Sequence, residues 1–356
     1  MKKIVFFSGG IDRAGGTERA LSLVANALSK EGYEVIIVSL CGDKAYYPLE
    51  DNIKLIYLNS KNLRSSIVSN LRKLSSIVRE EKPDFWVDVD YILGIYTNRI
   101  RNKYKEMKWI SWEHFCFYYE YPYFKKLRKI VRKMVCKKAD CLIVLSKEDE
   151  KDYKDNLDIK AKLVQIYNPL PFEIKNSDAS KEKIVMAAGR LTAIKGFDLL
   201  IEAWEMLEND FSDWRLVIAG DGEEKDKLSN QIAQKGLKRI EIRGFDKDIS
   251  KLYSQSSIFA LSSRNEGFVM VLLEAMSQGL PCVAFDCKCG VKEMIDDGEN
   301  GYYVNNGDVD EFSLRLRSLM SDEEKLKIMG DKAVIKAEEF TSDIVLKQWI
   351  ELLEAI

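Results

Sequence analysis

Short apolar runs rich in β-branched residues alternate with longer amphipathic stretches along the whole chain. Such a run predicts a buried strand, whereas apolar positions at helical spacing predict a helix. In the stretch 17–31, for example, Ala20, Leu21, Val24 and Leu28 share one face of a predicted helix. Strands are predicted at 3–8, 34–40, 53–58, 84–88, 108–112, 141–145, 163–166, 183–189, 215–219, 240–243, 257–262 and 281–285.

This alternation predicts an α/β protein with two Rossmann-like domains, each a parallel sheet covered by helices on both faces. The densest proline cluster, Asn168-Pro169-Leu170-Pro171, marks the join and gives domains 1–170 and 171–340. A final amphipathic helix within 341–356 either completes the second domain or crosses back to the first. Ligands of open parallel sheets bind beyond the carboxyl ends of the strands, so motifs there are expected to line a cleft between two facing domains.

Charge and composition narrow the classes of partner. The length of 356 residues suits two domains, and a net charge of −2 argues against a nucleic-acid coat. Residues 1–175 carry a net +9 and residues 176–356 a net −11, so the first half is expected to meet an anionic substrate or membrane surface. The N-terminal apolar run is too short for a signal peptide or a membrane span, and we predict a cytoplasmic protein.

Metal sites are not expected. The seven cysteines are scattered and are interpreted as reduced thiols. Cys287-Lys288-Cys289 lacks the second pair that a zinc site needs, and Asp88-Val89-Asp90 simply follows a predicted strand.

A glycine-rich turn follows the first strand. Gly9, Gly10, Gly15 and Gly16 precede a helix start, where bare N–H groups and the helix dipole suit an anion. The turn is neither a dinucleotide-binding fingerprint nor a phosphate-binding loop with its lysine. It is either a flexible loop or a turn in which Gly15 and Gly16 contact a phosphate or a sugar.

Two segments of the second half carry candidate binding groups. Arg190 and Lys195 follow the strand at 183–189 and are expected to grip a diphosphate, although a surface salt-bridge pair is the alternative. After the strand at 257–262, Glu266 is expected at the entry of a helix that begins around Gly267, with the N–H groups of Gly267 and Phe268 as an anion seat.

Glu274 is expected about two turns inside that helix on an apolar face. A buried carboxylate there requires hydrogen bonds, for example from ribose hydroxyls. For Glu266 and for Glu274, a solvated helix charge is the alternative.

The first half offers the only histidine, His114, and a basic helix. His114 follows a predicted strand and is either catalytic or structural. In the stretch 125–138, eight of fourteen residues are cationic, while Leu127, Ile130, Val131, Met134 and Val135 share a predicted apolar face. This composition is typical of an interfacial helix on anionic lipid, and a core-packed helix with a solvated basic face is the alternative. The residues expected to face membrane or acceptor are Lys125, Lys126, Lys129, Arg132 and Lys133.

Taken together, these motifs resemble the retaining glycosyltransferases of family 4, which have the GT-B fold of two facing Rossmann-like domains. The resemblance covers nearly the whole chain and is strongest over 183–300. It rests on Gly189-Arg-Leu-x-x-x-Lys-Gly196, Ala219-Gly-Asp-Gly222, Arg243-Gly-Phe245, Glu266-x7-Glu274 with Gly-Phe inside, and Val291-Lys-Glu-Met-Ile-Asp-Asp-Gly-Glu-Asn-Gly301. The segments Gly15-Gly16-Thr-Glu-Arg and Ser-Trp-Glu-His114 also match, less specifically. Val269 stands where many relatives have a second glycine.

The resemblance implies a role for each matching position. Arg190 and Lys195 would hold the donor diphosphate and stabilise the leaving group. Glu274 would bind the ribose, and the region around Phe245 would border the base. The donor sugar would lie against Glu266, the N–H groups of Gly267 and Phe268, and His114. Gly16 would approach the phosphates or the acceptor.

The expected activity follows from the same resemblance. The donor would be a UDP-hexose or UDP-N-acetylhexosamine, used without metal or cofactor, and the acceptor a polyprenyl-diphosphate-linked glycan of a surface polysaccharide. The enzyme would be peripheral on the inner membrane leaflet. A GT-B sugar-nucleotide epimerase and a non-catalytic sugar-nucleotide-binding subunit are the alternatives.

Overall fold

The chain forms two compact units in the computed structural model. The structure describes residues 1–60, 67–119, 124–174, 181–245, 249–288 and 290–356. The first unit comprises Met1–Pro171 together with Ser342–Ile356, and the second comprises Phe172–Thr341. The last helix, whose domain the sequence left open, therefore belongs to the first unit. Parts of the aromatic segment 115–124 and of the polar segment after the prolines, and Cys289, lie outside the described residues.

A seven-stranded parallel sheet forms the centre of the first unit, in the order β3-β2-β1-β4-β5-β6-β7. Its strands are β1 (Lys3–Gly10), β2 (Glu34–Cys41), β3 (Lys54–Tyr57), β4 (Phe85–Val89), β5 (Lys108–Trp112), β6 (Cys141–Val144) and β7 (Lys162–Gln165). Each matches a predicted run to within a few residues. The inner strands are continuously apolar because they are buried on both faces, whereas the edge strands β3 and β7 are only partly buried.

Helices cover both faces of this sheet. They are α1 (Gly16–Lys30), α2 (Ile67–Glu81), α3 (Gly94–Arg101), α4 (Lys125–Lys138), α5 (Lys147–Asn156) and the C-terminal α13 (Ser342–Glu354). Successive residues of a strand point to opposite faces. On β1, Val5 and Phe7 join the core formed with α2, α3 and α4, whereas Phe6 meets Trp349 of α13, which packs beside α1.

The second unit is built on a six-stranded parallel sheet in the order β10-β9-β8-β11-β12-β13. Its strands are β8 (Ile184–Ala188), β9 (Arg215–Ala219), β10 (Ile240–Arg243), β11 (Ile258–Leu261), β12 (Cys282–Asp286) and β13 (Gly301–Asn305). Its helices are α6 (Phe197–Glu205), α7 (Lys225–Lys235), α8 (Ile249–Gln255), α9 (Met270–Ser277), α10 (Val291–Met294), α11 (Val309–Met320) and α12 (Glu323–Glu338).

Strand β13 is missing from the predictions. It pairs with β12 through Cys282 and Gly301 at the edge of the sheet. Only Tyr302 and Val304 bring large buried side chains, and Asn305 is exposed. The run Tyr302-Tyr303-Val304 is only three residues long, and the sequence analysis does not single it out as a strand.

The two parallel sheets confirm the predicted α/β class. Among the described residues, no helix is both long enough and apolar enough to cross a bilayer.

Candidate active site

Three polar side chains converge at the carboxyl ends of β8 and β11, which are neighbours in the second sheet. Lys195 Nζ lies 2.5 Å from Glu266 Oε1, and Ser263 Oγ donates a hydrogen bond of 2.6 Å to the same oxygen. The Lys195 and Glu266 side chains are 20% and 11% exposed, so the pair is largely buried yet reachable from solvent. Two residues proposed from separate motifs thus occupy one place, and Ser263, which the sequence analysis did not single out, joins them.

Contacts between the loop segments 194–196 and 262–264, called the backbone clasp below, fix the position of Lys195. Gly196 has φ +63°, and a Cβ there would lie 2.0 Å from the carbonyl oxygen of Ser262. Ser262 Oγ donates to the Lys195 carbonyl at 3.0 Å, and the Arg264 N–H donates to the Ile194 carbonyl at 2.8 Å. Only glycine combines this left-handed conformation with so close an approach. The loops after β8 and β11 therefore hold each other in register.

Arg264 extends the clasp to the start of α6. Its guanidinium donates to both carboxylate oxygens of Asp198, at 2.8 and 2.7 Å, and to the Ala193 carbonyl at 2.6 Å. Arginine–carboxylate pairs of this bidentate form are geometrically specific. We interpret Arg264 as a structural tie, in contrast to its neighbour Glu266.

Arg190 stands apart from the cluster. Its side chain is 76% exposed, and its ion pair with Glu223, itself 63% exposed, spans 3.8 Å. Exposed pairs of this kind are weak. The guanidinium can therefore turn to an anionic ligand at little cost, but the structure does not bring it against Lys195.

The helix after Glu266 begins later than predicted. α9 starts at Met270, so Gly267 and Phe268 belong to the preceding loop, not to a first helical turn. Glu274 consequently lies about one turn inside the helix, where it is 4% exposed and accepts a 3.0 Å hydrogen bond from Tyr253 Oη. The sequence analysis expects a hydrogen-bond donor for this buried carboxylate and does not identify one in the protein. Tyr253 on α8 is such a donor.

Phe245 lies just beyond β10, the edge strand of the second sheet, and its side chain is 55% exposed. An exposed aromatic ring after a strand end suits stacking on a planar ligand. The residues that follow it, 246–248, are outside the described part of the chain.

In the first unit, the glycine turn carries a carboxylate of its own. Gly15 is the N-cap of α1 and offers no side-chain cap. A Cβ at Gly15 would lie 2.1 Å from Glu18 Oε2, so the Glu18 carboxylate folds back over the turn. Burial raises the pKa of Glu18, with its own backbone N–H as an opposing hydrogen-bond donor. The expected anion seat at Gly15 and Gly16 is thus already lined by an acidic group.

His114 lies two residues beyond β5, packed on the last residue of that strand. Its ring centroid is 4.3 Å from that of Trp112, and the side chain is 4% exposed. Burial lowers the pKa of His114 to about 3, so the imidazole is neutral at pH 7. Its Nε2 has no hydrogen-bond partner among the described residues. A neutral imidazole can accept from a sugar hydroxyl or donate to one.

The predicted basic helix is α4, but its faces differ from the prediction. Lys125, Lys126, Lys129 and Lys133 are exposed as expected. Ile130, assigned to the apolar face, is 65% exposed among them, because the buried stripe runs through Val131, Val135 and Cys136.

Arg132 is a correction to the predicted membrane-facing set. Its guanidinium packs over the rings of Tyr91 and Phe117, at 4.8 and 4.9 Å from their centroids, and donates to the Phe117 carbonyl at 2.6 Å. The side chain therefore stabilises the aromatic interior of the unit, where cation–π contacts compensate its partial burial.

The aspartates of Asp88-Val89-Asp90 have structural partners. Asp88 is fully buried and accepts hydrogen bonds from Thr97, Trp86 and Trp109, at 2.6, 3.0 and 2.8 Å. Asp90 caps the turn after β4 and lies 3.4 Å from Arg128. Within the described ranges, no three His, Cys, Asp or Glu side chains are grouped to hold a metal ion.

Comparison with known proteins places these two units in one family. Residues 14–173 match the model described as Glycosyltransferase Family 4, and residues 171–335 match Glycosyl transferases group 1. The amylovoran biosynthesis glycosyltransferase AmsD of Erwinia amylovora is 30% identical over 99% of this chain and 100% of its own. A Campylobacter jejuni protein, GalNAc-alpha-(1->4)-GalNAc-alpha-(1->3)-diNAcBac-PP-undecaprenol alpha-1,4-N-acetyl-D-galactosaminyltransferase, is 27% identical over 100% of this chain and 99% of its own.

Among solved structures, Anabaena Alr3699/HepE in complex with UDP superposes with a TM-score of 0.85 at 20% identity, covering 100% of each chain. This likeness establishes the fold. With the whole-length identity to a named glycosyltransferase and family matches over both units, the chain belongs to the family 4 glycosyltransferases of the GT-B fold.

Proposed function

We propose that this chain is a retaining glycosyltransferase of surface-polysaccharide biosynthesis. It would move a hexose or N-acetylhexosamine from a UDP-sugar to a polyprenyl-diphosphate-linked glycan. The observation that carries the proposal is the cluster of Lys195, Glu266 and Ser263 at the carboxyl ends of β8 and β11. A cation and a carboxylate in contact at this edge match the two demands of a nucleotide sugar, a diphosphate and sugar hydroxyls.

The donor diphosphate would be held by Lys195 and Arg190. Lys195 pairs with Glu266, whereas the ion pair of Arg190 with Glu223 is exposed and spans 3.8 Å. Oxygens of the diphosphate would replace Glu266 as the ion-pair partner of the Lys195 ammonium. The guanidinium of Arg190 would bind the second phosphate. Both cations then neutralise the charge that develops on the departing UDP. Protein cations supply this charge in the proposal, which therefore uses no cofactor.

The sugar and the nucleoside would be held by the remaining residues. Glu266, released from Lys195, accepts from hydroxyls of the donor sugar, beside the backbone of Gly267 and Phe268. His114 contacts the sugar near the reacting carbon as a neutral imidazole. Glu274, already anchored by Tyr253, binds the ribose, and Phe245 borders the base.

Transfer with retention would proceed on one face of the sugar. The bond between the anomeric carbon and the UDP oxygen breaks while the acceptor hydroxyl oxygen bonds to the same carbon from the same side. The acceptor proton passes to the departing phosphate oxygen, so the reaction needs no separate protein base. The relatives support the acceptor class, since the Campylobacter jejuni protein is named for an undecaprenol-diphosphate-linked substrate.

The exposed face of α4 would bring this protein to the membrane surface that carries such an acceptor. Lys125, Lys126, Lys129 and Lys133 surround the exposed Ile130, and Phe124 at the helix start is 48% exposed. Cations that flank exposed apolar side chains suit an anionic bilayer surface. We propose that the enzyme is peripheral on the inner membrane leaflet and meets its lipid-linked acceptor there.

The decisive experiment incubates the purified chain with UDP-hexoses and UDP-N-acetylhexosamines and a polyprenyl-diphosphate-linked glycan, and determines the anomeric configuration of the product by NMR. Lys195→Ala and Glu266→Ala should abolish transfer. Lys183→Ala is the matched control, because Lys183 is also ion-paired, to Asp213 at 2.9 Å, at the opposite end of β8. It should leave transfer intact.

Three results would overturn the proposal. An inverted product would refute retention. Conversion of the UDP-sugar to its epimer without acceptor would identify an epimerase. Binding of donor with no turnover on any acceptor, together with unchanged function of Glu266→Ala in cells, would identify a non-catalytic subunit.

A further inference from the structure

We propose that Trp349, on the C-terminal helix α13, is a positioning residue for His114 and acts through Trp112. This inference rests on the proposed function in one respect, the contact of His114 with the donor sugar. The geometry that carries it lies wholly within the first unit.

The three side chains form a continuous stack. The rings of Trp349 and Trp112 meet edge to face, with centroids 4.9 Å apart, and Trp112 meets His114 at 4.3 Å. Both tryptophans are fully buried, and His114 is 4% exposed. Interiors are packed as densely as organic crystals, so a displaced ring must move its neighbour. A change at Trp349 therefore reaches His114 through a single intermediate ring.

Phe6 of β1 supports the stack from the sheet. Its ring lies 6.1 Å from Trp349 and 6.4 Å from Trp112, so Trp349 of the final helix packs against aromatic rings from two strands, β1 and β5. Aromatic pairs at these distances and angles are favourable beyond the area that they bury. β1 cannot shift without breaking its parallel pairing to β2 and β4. α13 has no strand pairing of its own and is held to the sheet by side-chain packing and by the hydrogen bond from Lys2 Nζ to the Leu353 carbonyl, at 3.3 Å.

The imidazole is oriented by packing. His114 Nε2 has no hydrogen-bond partner within the described residues, so no bond from that nitrogen to a described residue sets the ring angle. The contact with Trp112, at 4.3 Å between ring centroids, is therefore one of the packing contacts that set where the ring nitrogens point. It also keeps water from one face of the ring, which favours the uncharged imidazole. The orientation and the uncharged form of the imidazole would both affect its contact with the donor sugar.

The last helix would contribute to the reaction by orienting His114. Although α13 follows the second unit in the chain, it packs in the first, beside α1. The C-terminal segment would then determine the orientation of a residue that precedes it by more than two hundred positions in the sequence.

The test uses the fact that His114 is the only histidine in the chain. Its Cε1–Hε1 signal in a proton–carbon NMR spectrum needs no assignment, and the whole protein is used. Trp349→Phe and Trp349→Leu should shift this signal progressively. The midpoint of its pH titration should rise by at least about one pH unit in the leucine variant, because water reaches the ring. Trp349→Phe should shift the signal measurably, although less than the leucine variant does, and it carries the test if the leucine variant does not fold.

Trp204 provides the matched control. Like Trp349, Trp204 is fully buried on a helix, and its Nε1 has no hydrogen-bond partner among the described residues. Unlike Trp349, it lies in the second unit, on α6. Trp204→Phe and Trp204→Leu should leave the His114 signal and its titration as in the wild type. A native signal and titration in both folded Trp349 variants would overturn the inference.

Kinetics separate this inference from the proposed function. If Trp349→Phe moves the His114 signal and lowers kcat about tenfold with KM for the donor little changed, both stand. If the signal moves and kcat does not, Trp349 positions His114 but the proposed contact of His114 with the sugar is wrong.

Discussion

Lys195 and Glu266, 71 positions apart in sequence, form a 2.5 Å ion pair in the second unit. Ser263 donates to the same carboxylate oxygen. The Lys195 ammonium and the Glu266 carboxylate, the two proposed donor-binding groups, neutralise each other. Neither charge is therefore partly buried without a partner. On the proposed function, donor binding would replace the contact between Lys195 and Glu266 with contacts to the diphosphate and to the sugar hydroxyls.

This competition predicts opposite effects of one substitution on binding and on transfer. In Glu266→Gln, Lys195 loses its competing anion, so UDP should bind about fivefold more tightly, equivalent to about 1 kcal/mol. Transfer should fall about 100-fold, because the donor sugar loses a charged acceptor. Calorimetry with UDP and rate measurements check both. Weaker UDP binding would show that Glu266 does not compete with the diphosphate.

Ser263 should act by orienting Glu266. Ser263→Ala leaves the carboxylate with one fixed donor fewer, and kcat/KM should fall about tenfold, as expected for a hydrogen bond to a charged group. Ser257→Ala is the control, since Ser257 Oγ donates to the Glu182 carbonyl at 2.7 Å at the other end of β11. Steady-state kinetics on both variants decide the matter, and equal rates for the two would remove Ser263 from the site.

Gly196 should be intolerant of any side chain. Gly196→Ala combines an unfavourable φ of +63° with a Cβ placed 2.0 Å from the Ser262 carbonyl, and should lower the free energy of unfolding by at least about 3 kcal/mol. Gly236→Ala isolates the conformational part, because Gly236 has φ +67° but no atom within 4 Å of a Cβ. It should cost about 1 kcal/mol. Thermal unfolding of the two variants should differ accordingly; similar melting temperatures would contradict the clasp.

The buried histidine should make stability depend on pH. The pKa of His114 is lowered by burial from 6.5 to about 3, so the unfolded chain takes up a proton first as the pH falls. Stability from this group is complete above pH 6.5 and is lost towards pH 3, by about 1.4 kcal/mol per pH unit. His114→Phe keeps an aromatic ring on Trp112 without titrating. Denaturant unfolding at pH 7.5 and 5.5 should show the wild type losing more stability than the variant; parallel losses would count against a neutral His114.

The basic face of α4 should determine binding to anionic lipid. Changing Lys125, Lys126, Lys129 and Lys133 to Glu should weaken sedimentation with phosphatidylglycerol vesicles at least about tenfold and should leave little salt dependence. A matched variant carries the same charge change at four other exposed lysines of the first unit: Lys103, Lys105, Lys151 and Lys160. Equal vesicle binding by the two variants would discard the membrane-facing role of α4.

The fold was largely predictable because it follows from local patterns. Runs such as Ile4–Phe7 and Leu216–Ile218 are continuously apolar, and only strands buried on both faces bury them completely. The edge strand β13 has only the three-residue run Tyr302-Tyr303-Val304, which the sequence analysis does not single out. The start of α9 was placed three residues too early, because the glycine at 267 resembles a helix entry while the chain makes one more turn before Met270.

Local sequence patterns predict most of the strands, the family and the residue types at strand ends, since each depends on neighbours within a few positions. Which residues meet is visible only in the folded chain: Lys195 with Glu266 and Ser263, Tyr253 with Glu274, Glu18 with Gly15, and Trp349 with Trp112. The tertiary structure also turned Arg132 inward and Ile130 outward on α4, because the phase of an amphipathic helix is set by the partners it packs against. Contacts between distant segments depend on how sheets and loops pack in space, and no local pattern encodes that.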